Sequence, residues 1–203
     1  MTIFIILVTS ALSILAFKND EIMNRSQLNP YLVYHKKQWY RVVSHGFVHA
    51  DWVHLFVNMF VLFSFGKSVE NIFSQLAVNG IILSPKISYL ILYFTAMILA
   101  TIPSIIKQKD NHWYNSVGAS GAVSAVIFTS IFFQPLAPLY FFAVIPIPGI
   151  VFGILYLGYT HYMSRKGGDN INHDAHFIGA IFGFVFPLLL EPKLIHIFIN
   201  QLF

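Results

Sequence analysis

Serine, histidine and asparagine side chains in this apolar chain could together carry out acyl transfer. Ser120 lies in the small-residue run of residues 118–122, where a polar loop gives way to the apolar residues 123–133. If these form a helix, Ser120 lies in its first turn, where backbone N–H groups lack partners. Such small-residue runs are also typical of packing between membrane helices. Ser120 is therefore a candidate nucleophile only if a base and oxyanion donors lie elsewhere.

Candidate oxyanion donors precede Ser120 in the chain. His54 and Asn58 are spaced i,i+4, which on a helix places both on one face, about 6 Å apart along the axis. Both can donate an N–H group to a developing oxyanion, and one such donor contributes roughly 10²–10³ in rate. The alternative is a structural hydrogen bond between helices.

The candidate base is His176, in the pattern A-H-x-x-G-x-x-x-G. Gly179 and Gly183 share its helix face, which can therefore pack closely against a neighbour. The natural neighbour is the small-residue helix that begins at Ser120. This packing would bring the imidazole near the serine hydroxyl, as general-base catalysis requires. A lone histidine on an apolar face is more often a core residue, but the serine and the donor pair favour catalysis here.

The composition places these residues in a membrane. The 203 residues are 57% hydrophobic and 10% charged, with a mean hydropathy of +0.69, whereas soluble domains have about 25% charged residues. The length predicts one domain, residues 1–203. The net charge of +4 indicates contact with a membrane surface and no nucleic-acid partner, because there is no basic stripe. The absence of cysteine excludes a thiol nucleophile, disulfides and thiolate metal ligands.

Six apolar stretches predict six membrane-spanning helices in an all-α protein. The first stretch lacks the positive n-region and the cleavage site of a signal peptide. A long loop at residues 18–50 follows it, with Trp39 and Tyr40 suited to a membrane interface. Pro146–Gly149 predicts a kink or break in the fifth helix. The six stretches are residues 2–17, 51–66, 87–106, 117–133, 139–162 and 174–190.

The order of these helices predicts that the candidate residues lie at a similar depth. Asn58, Ser120 and His176 are near the starts of the second, fourth and sixth helices. Even-numbered helices cross the bilayer in the same direction, so their starts lie near the same membrane face.

Together these residues resemble the motifs of the rhomboid intramembrane serine proteases, over residues 38–192. Each motif is weak alone, but the ordered set is specific. It implies a six-transmembrane-helix rhomboid-like bundle with a long first loop. The matching residues are Trp39-Tyr40-Arg41, His45, His49, His54-x-x-x-Asn58, Gly118-x-Ser120-Gly121, Ile147-Pro148-Gly149 and His173-x-Ala175-His176-x-x-Gly179-x-x-x-Gly183.

The resemblance implies a serine endopeptidase in which Ser120 is the nucleophile and His176 the general base, without a third carboxylate. The oxyanion hole would consist of His54, Asn58 and the Ser120 backbone N–H. The implied substrates are transmembrane proteins in the lipid bilayer, and no metal or organic cofactor is implied. We expect Arg41 to order the first loop and to line a water-accessible cavity with His45 and His49. The other implied supporting residues are Gly118, Gly121, His173, Gly179 and Gly183.

One position departs from the family pattern. In many members an aromatic residue four positions after the nucleophile stacks on the histidine, whereas this sequence has Ser124. Either another aromatic residue takes its place, or His176 is held differently, with help from His173. How His176 is held bears on the catalytic rate, since losing the Asp that orients the histidine of a soluble triad costs about 10⁴ in kcat.

The resemblance also implies a multi-pass protein of a bacterial inner membrane, with its active site on the extracytoplasmic side. The distribution of charge points the other way. The loops on the active-site face hold nine of the twelve Lys and Arg residues, and the positive-inside rule would place that face in the cytoplasm. We give the resemblance more weight, because several of these charges lie in a loop that can be embedded or paired.

Two other classes of function stay open. The first is a membrane metalloenzyme with histidine ligands. His45-x-x-x-His49 and His173-x-x-His176 have spacings found in metal sites, and imidazole binds iron or zinc. The other histidines are scattered along the chain. A non-catalytic rhomboid-like chaperone or adaptor would use the same fold, since a fold does not determine a function.

Overall fold

The computed structural model of the protein describes residues 1–141 and 144–203 and is mostly helical. Short 3₁₀ helices lie at His45–Phe47 and Pro192–Leu194, and β1 (Pro138–Phe141) pairs antiparallel with β2 (Ile145–Pro148). The α-helices are α1 Thr2–Phe17, α2 Asp20–Ser26, α3 Pro30–Lys36, α4 Arg41–Ser44, α5 Trp52–Val78, α6 Pro85–Gln108, α7 Ser120–Phe133, α8 Gly149–Lys166, α9 His173–Leu190 and α10 Ile195–Asn200.

Helix α7 lies at the centre of the structure. Every α7 residue after Ser120 is buried, and α7 packs against α5, α6, α8, α9 and α10. A helix that is apolar or small on all sides is expected to be enclosed in this way. The surrounding helices instead expose large apolar side chains, among them Phe56, Phe60, Ile91 and Ile181. Such an outer surface is typical of helices that face lipid.

Three helices of the described residues are long and apolar enough to cross a membrane, namely α5, α6 and α9. Helices α1 and α7 are apolar but have only 16 and 14 residues, and α8 ends in Arg165 and Lys166. The predicted number of six spans is therefore not confirmed. At 1.5 Å per residue α7 is about 21 Å long, which is less than the roughly 30 Å of a bilayer core.

Most predicted helices coincide with helices of the structure. The first matches α1 at both ends, and the sixth is α9. The second is α5, which continues past Gly66 to Val78. The long first loop, residues 18–50, is itself ordered and contains α2, α3 and α4.

The predicted fifth helix, at residues 139–162, is wrong in its first part. A β-hairpin of β1 and β2 occupies that part, and α8 begins only at Gly149. Pro146 and Pro148 lack the N–H of a helical hydrogen bond, and their rings clash with the preceding turn. The β-branched and aromatic residues of the two strands, such as Tyr140 of β1 and Ile145 and Ile147 of β2, suit an extended backbone. Residues 142–143 of the predicted helix lie outside the described residues.

The predicted packing of α9 against the small-residue helix is confirmed at two glycines. A Cβ added to Gly179 would overlap the backbone carbonyl of Gly121, and one added to Gly183 would overlap the backbone of Ala125. Thr129 Oγ1 also donates a hydrogen bond of 2.8 Å to the Gly183 carbonyl oxygen. Because the obstructing atoms belong to the backbone, no side-chain movement could make room. The backbones of α7 and α9 can therefore approach this closely only with glycine at these positions.

We predict that Gly183→Ala lowers the free energy of unfolding by about 1–3 kcal/mol, because the added methyl overpacks a backbone contact. The matched control is Gly158→Ala in α8, where an added Cβ has no neighbour within 4 Å. That change should raise stability by about 0.5–1 kcal/mol through helix propensity alone. Thermal unfolding of both variants in detergent micelles measures the difference. Equal unfolding temperatures would contradict the close contact.

Candidate active site

Helix α7 begins at Ser120 without a side-chain cap. Its N-cap residue is Ala119, whereas the N-caps of α2, α3, α5 and α9 are Asn or Asp residues that accept N–H groups of their helices. An N-cap oxygen normally satisfies an N–H group of the first turn, and alanine offers none. The first N–H groups of α7 are therefore free of a side-chain cap and available to a negatively charged oxygen.

His54 lies directly against the backbone before Ser120. A Cβ added to Gly118 would lie 2.7 Å from His54 Cε1 and 2.9 Å from His54 Nε2. Gly118 also has a φ of +113°, a conformation that residues with a Cβ rarely adopt. His54 Nδ1 accepts the Ala50 N–H at 3.5 Å, which places the proton of the neutral ring on Nε2. His54 therefore presents an N–H group beside the start of α7.

Asn58 lies one turn further along α5, on the face that His54 occupies. Its side chain is buried, and Nδ2 donates a hydrogen bond of 2.9 Å to the His54 carbonyl oxygen. This i,i+4 bond engages one of its two amide hydrogens. The two predicted donors therefore do share a helix face, as their spacing requires.

Helix α9 brings His176 to the same end of α7. A Cβ added to Gly121 would lie 3.3 Å from the Ala175 carbonyl oxygen, so the neighbouring residues Ser120 and His176 lie on facing turns. Both side chains are half-buried. Among the hydrogen bonds of the described residues, none joins Ser120 Oγ to His176. Contacts between a nucleophile and its base are often longer before substrate binds.

Asn172, which the sequence analysis missed, fixes the start of α9. Its Oδ1 accepts the Ala175 N–H at 3.1 Å, and its Nδ2 donates to Ser104 Oγ at 2.8 Å. Asn172 therefore caps α9 and attaches the cap to α6. Because His176 lies in the first turns of α9, this cap sets the position of the imidazole along the helix axis. An asparagine before a helix start was the signal that could have found it.

His173 directs its hydrogen bonds away from His176. Its Nε2 lies 3.0 Å and 3.2 Å from the two carboxylate oxygens of Asp169, and this bond lowers the pKa of Asp169. The His173 ring lies 6.2 Å from that of His176, with the planes at 69°. His173 is thus an edge-on neighbour of the candidate base.

An aromatic ring does lie on His176, but it comes from α8. The rings of Tyr156 and His176 are nearly parallel, with 8° between their planes and 6.4 Å between their centroids. The Tyr156 hydroxyl lies 2.8 Å from Ser124 Oγ, at the position where the family pattern places its aromatic residue. Of the two alternatives drawn from the sequence, the structure has the substituted aromatic residue.

Two histidines of the first loop hold the backbone just before Ser120. The His45 carbonyl accepts the Gly118 N–H at 2.9 Å, and His49 Nε2 accepts the Ala119 N–H at 3.4 Å. His49 Nδ1 lies 3.0 Å from Ser13 Oγ of α1, whose hydroxyl donates to a backbone carbonyl. This pattern requires a neutral His49 with its proton on Nδ1.

Comparison with known proteins gives a consistent result. Residues 36–193 match the family model of the Rhomboid domain. The chain belongs to the rhomboid family. This rhomboid domain and the long apolar helices within it make the chain a membrane protein.

Two relatives come from Arabidopsis thaliana. The chain is 31% identical over 143 residues to RHOMBOID-like protein 12, mitochondrial. This match covers 68% of this chain and 43% of the relative. It is 27% identical over 176 residues to Rhomboid-like protein 11, chloroplastic, which covers 79% of this chain and 56% of the relative. This rhomboid chain therefore spans about half the length of these relatives.

The prediction that Arg41, His45 and His49 line an open cavity in this rhomboid protein is wrong. Their side chains are only 5%, 7% and 0% exposed. Arg41 donates to the carbonyl oxygens of Asn24 and Gln27 at 2.8 Å and 2.7 Å. The side chains of Arg41 and His45 are buried because the loop itself supplies acceptors for them. The ring of His49 bonds instead to Ser13 of α1 and to the backbone just before α7.

A polar cavity of about 190 Å³ lies elsewhere, between the C-terminal ends of α6 and α8 and the start of α9. It is within one turn of His176, because Asn172, His173 and Asp174 all line it. The Lys107–Asp174 ion pair, with an N–O distance of 2.7 Å, lies in its wall.

The metal-site hypothesis finds no ligand set in the part of the chain that the structure describes. Within residues 1–141 and 144–203, no three side chains of His, Asp or Glu come together in a group that could hold a metal ion. Of the predicted ligands, His45, His49 and His173 each use a ring nitrogen in a hydrogen bond to the protein.

We predict that Gly118→Ala destabilises the protein by about 1–3 kcal/mol more than Gly80→Ala, because only the first methyl meets His54. Gly80 is the matched control, since its φ of +71° is also positive but its added Cβ has no neighbour within 4 Å. Unfolding in detergent measures both free energies. Adding His54→Ala to Gly118→Ala should recover most of the difference, and no recovery would contradict the contact.

We also predict that the protein loses stability as the pH falls below 6.5. Burial lowers the pKa of His45 from 6.5 to about 4 and that of His49 to about 3. Between these values and 6.5 the unfolded chain binds protons that the folded chain excludes, so stability is complete above that range and falls within it. Each histidine contributes up to about 1.4 kcal/mol per pH unit. Unfolding measured from pH 7.5 to 4 should show a shallower loss for His49→Gln, and equal slopes would refute the assignment.

Proposed function

We propose that this rhomboid protein is an intramembrane serine protease that cleaves transmembrane proteins through a Ser120–His176 dyad. The observation that carries the proposal is the position of the uncapped first turn of α7. It lies between His54 of α5 on one side and the His176 turn of α9 on the other. Its position next to these two residues supports a site with Ser120 as nucleophile, His176 as base and His54 among the oxyanion donors.

The reaction proceeds by acyl transfer. Ser120 Oγ attacks the carbonyl carbon of the scissile peptide while His176 takes the hydroxyl proton. The tetrahedral intermediate expels the amine, which receives that proton from His176, and leaves an ester on Ser120. Water then attacks the ester, with His176 again as base, and releases the new carboxyl group and the serine hydroxyl.

The negative oxygen of the intermediate is met by the Ser120 backbone N–H, by His54 Nε2–H and by Asn58. The missing cap at Ala119 supports the first role, because no side chain competes for the N–H groups there. The Nε2 tautomer of His54 supports the second. The second amide hydrogen of Asn58, which forms no hydrogen bond among the described residues, supports the third.

The membrane arrangement follows from the lengths of the helices. We propose that α1, α7 and α8 cross the membrane together with α5, α6 and α9, which completes the six spans. A length of about 21 Å for α7 against a bilayer core of roughly 30 Å supports a start of α7 below the membrane surface. Ser120 would then lie inside the bilayer depth, and the polar cavity beside α9 would supply water.

A substrate helix must unwind at this depth before it can react. An intact helix keeps its carbonyl oxygens hydrogen-bonded, so its peptide bonds are shielded from attack. We therefore propose a preference for helix-weakening residues near the cleaved bond and for small side chains at it.

We propose that the site faces the extracytoplasmic side of the membrane. Part of the unfavourable positive charge on that face is neutralised, since Arg25 pairs with Glu21 at 2.7 Å and Lys107 pairs with Asp174. The bacterial inner membrane stays a prediction, because the two plant relatives are named for mitochondria and chloroplasts.

A non-catalytic rhomboid-like function is the second candidate. The observation that favours it is the missing hydrogen bond between Ser120 Oγ and His176 in the described residues. In that case the protein would bind membrane helices without cleaving them.

Labelling with a fluorophosphonate probe separates these candidates. We predict that the purified protein in detergent reacts at Ser120, and that Ser120→Ala and His176→Ala each abolish labelling, because the probe needs an activated serine. Ser130→Ala, a buried serine of the same helix, and His196→Ala, on the exposed tail, are the matched controls and should label like the parent protein.

Two results would contradict the protease proposal. One is a folded parent protein that does not label, and the other is labelling that survives in Ser120→Ala. Cleavage of a membrane substrate by the same preparation before it is labelled is the second readout, and it should be lost in the same two variants.

A further inference from the structure

We infer that Tyr156 of α8 is the residue that positions His176 for proton transfer. The inference rests on the proposed function and adds to it a third element, since α8 otherwise contributes nothing to the dyad. Tyr156 acts through its ring on the imidazole, and Ser124 acts through its hydroxyl on Tyr156.

The imidazole of His176 needs such a neighbour because the dyad has no carboxylate. In a triad, a carboxylate bonds to the second ring nitrogen and holds the ring plane. Here the acidic residue nearest in the loop, Asp169, is bonded to His173 instead. A flat ring parallel to the imidazole, with its centroid 6.4 Å away, restricts the rotation of the imidazole about the bond to Cβ.

Tyr156 is itself held on three sides. Its hydroxyl lies 2.8 Å from the hydroxyl of Ser124, which is 3% exposed. Phe152 of α8 stacks on its ring at 5.8 Å, and Phe128 of α7 lies against it at 5.6 Å. Contacts with α7 thus hold Tyr156 in place, and Tyr156 in turn restricts the movement of the His176 imidazole of α9.

The pair of Ser124 and Tyr156 explains how a serine can replace an aromatic residue in α7. The small side chain leaves space beside His176, and the ring from α8 enters that space while its hydroxyl bonds to the serine. As a consequence, the base is aligned only when α8 is seated against α7 and α9. An outward movement of α8 would remove the ring and would slow the chemical step.

The decisive experiment measures kcat and KM for cleavage of a transmembrane substrate in detergent. Tyr156→Leu should lower kcat about tenfold, the equivalent of one lost aromatic contact, with little change in KM. Tyr156→Phe keeps the ring and loses only the hydrogen bond, so a loss of about threefold is expected. Tyr162→Leu is the matched control, the same change on an exposed tyrosine of α8, and kcat should not change.

A double-mutant cycle tests the partner role of Ser124. Ser124→Ala should lower kcat as much as Tyr156→Phe, and the double variant should lower it no further, because both remove the same hydrogen bond. The transfer variant Ser124→Tyr with Tyr156→Ser should recover much of the activity lost in Tyr156→Leu, since it returns an aromatic ring to the same space from α7.

The outcomes separate this inference from the proposed function. If the folded parent protein neither labels nor cleaves, the protease proposal fails. If the parent protein is active and Tyr156→Leu has the kcat of the parent protein, whether or not its KM changes, the positioning role is refuted. If Tyr156→Leu also unfolds at a lower temperature, the kcat values of Tyr156→Phe and of the transfer variant decide whether Tyr156 has the positioning role. Additive losses of kcat in the double-mutant cycle would count against the role of Ser124 as partner of Tyr156.

Discussion

The backbone contact between α7 and α9 is the constraint on which the candidate site depends. Gly179 and Gly183 have no side chain, so the α9 backbone lies against the carbonyls of Gly121 and Ala125. Within a membrane the hydrophobic effect does not drive helices together, and helices associate through close packing and hydrogen bonds. A single methyl group at this contact would separate the helices, and the separation would act directly on the distance between Ser120 and His176.

The first loop adds a second constraint, on the direction of the chain before Ser120. The N–H groups of Gly118 and Ala119 are both bonded, to the His45 carbonyl and to His49. Buried backbone groups need such partners. Because loop atoms bond these two N–H groups, only the N–H groups that follow them in the chain are left for an oxyanion. Those that remain belong to the first turn of α7, where an oxyanion would lie. Burial of His49 and its bond to Ser13 extend this support to α1.

The sequence suggested the candidate site residues, whereas the residues that hold them in place, such as Asn172 and Tyr156, came only from the structure. His54, Asn58, Ser120 and His176 follow from residue type and spacing, and the structure brings the α7 start between the turns that carry the others. The helices were predicted well where an apolar run was continuous, as in α1. The prediction of the fifth helix failed because its first part is apolar enough for a helix, while Pro146 and Pro148 and the residues of β1 favour a hairpin.

What the sequence alone determined are the features set by neighbours along one helix. The shared face of His54 and Asn58 and the glycine face beside His176 follow from 3.6 residues per turn. Only the tertiary structure decided the contacts between distant parts of the chain. Ser124 and Tyr156 are 32 positions apart, and Asn172 and Ser104 are 68 apart. No local periodicity relates such residues, since their contact depends on how α8 and α6 pack on the central helix. The proposal of His176 as the base therefore comes from the sequence, but the ring beside it comes from the tertiary structure.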